Sequence, residues 1–108
     1  MKKLLLAVVV LSIVEIVPCS VYAATETFGK PLNVYADPSD VVILLDTAGS
    51  CGTAFFHIRR TNANFKELTA VALTAFATGK RMYLVTDHCE GGPAGNARNI
   101  LSHGAAIN

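Results

Sequence analysis

The chain has 108 residues, nine Lys and Arg against eight Asp and Glu, a formal net charge of +1, three cysteines and no tryptophan. That length supports one domain with one modest core. The near-balance of charge provides no global field to draw the protein to nucleic acid or to an anionic membrane surface, although a local pair such as Arg59 and Arg60 can still meet an anion.

The chain opens MKKLLLAVVVLSIVEIVPCSVYAATE. Lys2 and Lys3 precede an uncharged run from Leu4 to Val14, and Pro18 and small residues up to Ala23 follow. This is the pattern of a secretory signal peptide, with cleavage expected after Ala23. The apolar run is shorter than the roughly 20 residues a bilayer span needs, and Glu15 interrupts its end. Cys19 follows Pro18 rather than a small residue, which argues against lipidation. The domain organisation predicted is therefore a leader over 1–23 and a single secreted domain over 24–108. The mature part has seven Lys or Arg (30, 59, 60, 66, 80, 81, 98) and seven Asp or Glu (26, 37, 40, 46, 67, 87, 90), a net charge of zero. Secreted or periplasmic localisation follows, with no membrane span in the mature chain.

ATETFGK (24–30) reads as a loose arm. PLNVYAD (31–37) alternates Leu32, Val34 and Ala36 against Asn33, Tyr35 and Asp37, the period of a half-buried strand, and Pro38 makes a turn. DVVILLD (40–46) is apolar on both faces, which suits a central strand. After the TAGSCG loop, TAFFHIRR (53–60) predicts a third strand with Phe56 and Ile58 on one face and Phe55, His57 and Arg59 on the other.

The period then changes. Asn64 stands three residues before Glu67 in a capping-box arrangement, and Gly79 is placed to end a helix over 65–78. Phe65, Leu68, Ala72, Ala75 and Phe76 form its expected inward stripe. From Leu68 to Thr78 the helix carries no charge on any face, although Ala70, Val71, Leu73, Thr74 and Ala77 would otherwise meet water. A helix on a small monomer normally shows solvent a charged side, so self-association through this helix is expected. RMYLVTD (81–87) has strand composition, GGPAGN (91–96) reads as a loop without the GK[ST] ending of a phosphate cradle, and ARNILSHGAAIN offers one or two last strands. The fold class is mainly β within α+β.

VTDHCEGG (85–92) sets an acid, an imidazole and a thiol side by side. Cleavage of the leader discards Cys19 and leaves Cys51 and Cys89 in an oxidising compartment, where a disulfide is the simplest expectation. Closing that loop stabilises a domain by about 4 kcal/mol. A Cys89 nucleophile is disfavoured because neighbouring strand residues point to opposite faces, so His88 is badly placed as its base. His57, His88 and His103 show no short paired ligand spacing, so no metal is expected, and no cofactor either.

The run NFKELTAVALTAFATGKRMYLVTDHC resembles the matching segment of the B subunits of subtilase-cytotoxin-type and typhoid-toxin-type AB5 toxins. Phe65, Leu68, Ala72, Thr78, Gly79 and the cysteine pair carry the resemblance, which spans about 41–90. It implies an OB-like small five-stranded barrel with the helix between strands 3 and 4. It also implies a ring of five subunits, a possible A-type subunit as partner, and binding of cell-surface glycans. No family glycan-contact motif is matched, so no binding residue is carried over. Tyr35, His57, Arg59 and Tyr83 are instead candidates from the chain itself, offering stacking and hydrogen bonding from outward strand positions. The function expected is a secreted bacterial binding module for a glycan or other surface receptor. The alternative is a periplasmic or secreted protein inhibitor or envelope-stress protein acting through a loop such as 91–96. With no carboxylate pair, triad or metal set recognised, the chain is not expected to be an enzyme.

Overall fold

The structure is a computed structural model and describes residues 24–91 and 97–107; the expected leader and residues 92–96 of the glycine loop lie outside the described residues. In chain order come β1 (Thr25–Gly29), β2 (Pro31–Ala36), β3 (Asp40–Leu45), β4 (Phe55–Arg59), the helix α1 (Phe65–Thr78), β5 (Arg81–Glu90) and β6 (Arg98–Ile107). The strands form one mixed sheet in the order β1-β5-β6-β4-β3-β2. Every neighbouring pair is antiparallel except β4 and β6, which run parallel through Phe56 with Asn99 and His57 with Ile100. The fold is mainly β with one helix.

The expected loose arm is β1, paired residue for residue with β5 from Thr25 opposite Thr86 to Gly29 opposite Met82. Thr27 and Gly29 point inward and Glu26 and Phe28 outward, so the alternation is present but too short and too polar to register as a strand. Among the described residues there are thus six strands rather than five, and α1 lies between the fourth and fifth. The sheet is also not closed, since β1 and β2 are its two ends. Only Lys30 separates those ends: its N–H donates to Asp46 Oδ1 at 2.8 Å and its carbonyl accepts from Asp46 N at 3.0 Å. Gly29 allows this corner, because a Cβ there would stand 2.6 Å from Asp46 Oδ1.

The core lies between the inner sheet face and α1. Val41, Ile43 and Leu45 of β3 meet Phe56 and Ile58 of β4, Met82 and Leu84 of β5 and Leu101 of β6, and the helix adds Leu68, Ala72 and Ala75. Burying each of the larger side chains stabilises the fold by about 1.5–3 kcal/mol. As expected for a central strand, β3 is buried on both faces apart from Leu44.

The stripe of α1 is narrower than predicted. Phe65 and Val71 pack partly buried at its flanks, whereas Phe76 is 43% exposed. Phe76 is one residue beyond buried Ala75, about 100° further round a helix of 3.6 residues per turn, which carries it to the outer side. The helix start also differs. Asn64 has φ −99° and ψ 21° and makes no side-chain cap bond. Asn62 does the ordering instead: its Oδ1 accepts from Asn64 N at 2.8 Å, and its Nδ2 donates to the carbonyls of Leu101 and Ser102 on β6 at 3.1 and 3.2 Å. The C-terminus is as predicted, with Gly79 left-handed at φ 68° and Lys80 N–H returning to Ala75 O at 2.9 Å.

Candidate functional site

Cross-strand partners share a face of the sheet, so the register assembles a row on the outer face. Tyr35 of β2 lies opposite Val42, Val42 opposite His57, His57 beside Ile100, and Ile100 opposite His88 of β5. Asp40 opposite Arg59 forms the next row. His88 joins only because of a bulge. Thr86 pairs with Leu101, whose side is the core, and plain alternation would send His88 to that side too. Instead His88 pairs with Ile100, Asp87 being the extra residue, and the imidazole is re-aimed outward.

The charges on this face form a continuous chain. His57 Nδ1 lies 2.9 Å from Asp40 Oδ2, and Arg59 Nε lies 3.7 Å from Asp40 Oδ1. A terminal nitrogen of Arg59 pairs with Glu90 Oε1. Glu90 Oε2 lies 2.9 Å from His88 Nε2, and His88 Nδ1 lies 2.8 Å from Asp87 Oδ2. Asp40 and His57 are buried, and the Glu90 end is open to solvent.

Each resolved shift has a local cause. The hydrogen bond that His88 donates to Glu90, then the one it donates to Asp87, raises its pKa above the usual 6.5. The same bond to His88, with the Arg59 charge behind it, lowers Glu90 below its usual 4.5. Asp37, in the β2–β3 turn, is held below the ordinary Asp value by the backbone N–H groups of Asp40 and Ser39, which donate to its Oδ1 at 2.8 and 2.9 Å.

Three of the four candidate ligand-binding residues share one face of the sheet. Tyr35, 41% exposed, stands two strands from His57, and Arg59 follows on the same face of β4. Arg59 is already engaged by two carboxylates, and His57 is buried rather than outward-exposed. Tyr83 stands elsewhere: its ring is 5.2 Å from that of Phe28 on β1 and 6.4 Å from that of His103 on β6. Partial desolvation, then Glu26, raises its phenol pKa.

Asp40 and Glu90 do not stand out in the sequence as site residues. For Asp40 a signal existed, an acid opening an otherwise apolar strand. For Glu90 none did, because its contact with Arg59 reaches across three strands, whereas the adjacent Asp87 and His88 already stand together in VTDHCEGG. The expected disulfide is present: Cys51 and Cys89 are bonded, with Cα atoms 5.5 Å apart, tying the 46–54 loop to β5. Buried Asn99 holds the same loop, accepting from Cys51 N at 3.1 Å and donating to the carbonyls of Thr53 and Phe55 at 2.8 and 2.9 Å.

No helix among the described residues is long and apolar enough to cross a membrane. No family model matches the chain, and neither a curated protein nor a solved structure matches it.

Proposed function

We propose that the chain is an exported, non-catalytic binding module of the kind the B-subunit resemblance implies, taking a glycan or similar hydroxyl-rich surface ligand on the face around Tyr35, His57 and Arg59. The observation that carries this reading is the exposed ring of Tyr35, on the same sheet face as, and two strands from, a His57 imidazole held by buried Asp40. Such a ring stacks on the apolar face of a sugar, and pre-oriented polar groups bind hydroxyls without losing rotamer freedom.

The OB-like reading gains support if β1 and β2 are taken as one strand bent at Lys30. Five strands then remain, with α1 between the third and fourth. The disulfide supports export, since such bonds persist mainly in oxidising compartments. Self-association, as a ring of copies, is supported by the outer side of α1. Ala70, Leu73, Thr74, Phe76 and Ala77 are exposed there, and the hydroxyls of Thr74 and Thr78 are turned back onto the carbonyls of Ala70 and Thr74.

The test is a glycan array probed with protein recovered after export of the full chain. Wild type and Tyr83→Ala should bind the same subset of glycans, and Tyr35→Ala should lose it. Silence across the array, or loss in Tyr83→Ala alone, refutes this assignment.

A further inference from the structure

Asp37 follows β2, Asp40 opens β3 and His57 sits within β4. One ligand atom from each lies within 4.8 Å of the other two. Ligand atoms around a four-coordinate zinc, each at about 2.0–2.2 Å from the ion, stand roughly 3.4 Å apart. The 2.9 Å between His57 Nδ1 and Asp40 Oδ2 therefore has to open by roughly half an ångström to admit an ion.

Proximity of acids does not make a site, since exposed carboxylates cluster freely. Asp40 supplies the independent observation. It is 1% exposed, and its Oδ1 is inaccessible and has no hydrogen-bond partner among the described residues. The nearest cationic atom, Arg59 Nε, stands 3.7 Å away and lacks a hydrogen-bond partner too, while the far end of that guanidinium is taken by Glu90. A buried carboxylate oxygen with no hydrogen bond, met only by a guanidinium nitrogen at 3.7 Å, keeps acceptor capacity that a closer cation can fill.

We propose that Asp37, Asp40 and His57 bind one divalent transition-metal ion of the zinc type. Imidazole and carboxylate are ligands that zinc accepts, and three protein ligands leave a position for water or for a hydroxyl of an incoming ligand. To present the Nδ1 lone pair to an ion, His57 must hold its proton on Nε2, so the hydrogen bond from Nδ1 to Asp40 is given up and the ion takes its place. Asp37 keeps Oδ1 on the turn's backbone N–H groups, and its second oxygen supplies the ligand. Cys51 and Cys89, being bonded to each other, do not compete for the metal.

The test is calorimetric titration of zinc chloride into exported, chelator-stripped protein with its disulfide intact. One zinc per chain is expected. Asp37→Asn keeps the oxygen that accepts the turn's N–H bonds and so should fold normally, yet weaken zinc binding at least tenfold. His57→Gln, whose amide can still donate to Asp40, should do the same, and His88→Ala should bind zinc as wild type does. Absence of stoichiometric binding overturns the proposal. So does zinc binding that survives Asp37→Asn but fails in His88→Ala, which would move the metal to the Asp87, His88 and Glu90 end.

Discussion

Asp40 and His57 stand on adjacent strands with Oδ2 and Nδ1 2.9 Å apart, both on the outer sheet face and both buried. A carboxylate with that little exposure depends on its partners. Removing it leaves His57 and Arg59 without their shared acceptor, and leaving a buried polar group unsatisfied costs about 1–3 kcal/mol. Asp40→Ala should therefore lower stability by about 2 kcal/mol, because His57 loses its buried partner while Arg59 retains Glu90. Urea denaturation followed by circular dichroism measures it. A loss below about 1 kcal/mol would show that the pair contributes little.

Cys89→Ser should lower stability by about 2–5 kcal/mol, since the bond closes a separation of 38 residues. Intact mass of the exported wild type should show two hydrogens missing. A free-thiol mass would contradict the bond.

The His88 end of the charge chain should respond to pH in a defined direction. Its raised folded pKa means that its contribution is complete below the unfolded value near 6.5 and is lost as pH rises through the folded value. Glu90 has a lowered folded pKa, so its contribution is present above an unfolded value near 4.5 and disappears as pH falls through the folded value. The pair contributes most between about pH 4.5 and 6.5. The His88 side chain is 43% exposed, so solvent screening keeps the effect small. Melting temperature should fall more between pH 6 and 8 for wild type than for His88→Ala; equal falls would exclude His88 as the source.

Replacing Thr74 and Ala77 with Glu places charge on the exposed, uncharged side of α1 without touching Leu68, Ala72 or Ala75. The double variant should remain folded but run as a single chain, whereas wild type should scatter light as a defined oligomer. A wild-type mass equal to one chain at micromolar concentration would refute association through the helix.

Local chemistry was largely readable. Strand β3, the helix over 65–78, its Gly79 ending and the cysteine pair all announce themselves through period, composition or compartment. The capping residue did not. Asn64 satisfies the pattern, but Asn62 was selected by the β6 carbonyls of Leu101 and Ser102, some 40 residues away in the chain. Asn99 was equally hidden: nothing around NIL marks an amide that will be fully buried and will hold the loop carrying Cys51.

The sequence by itself determined the doubly apolar strand β3, the inward positions of Leu68, Ala72 and Ala75 in α1 and the cysteine pair, because these depend on periodicity, on which residues avoid water and on compartment. Only the tertiary structure decided that Thr25–Gly29 is a strand, since five weakly apolar residues are held there by the facing edge of β5 rather than by their own propensity. It also decided that His88 faces outward beside Ile100. Facing follows register, and one extra residue at Asp87 inverts every side chain beyond it. The chain of charges from His57 to Asp87 therefore exists through register alone.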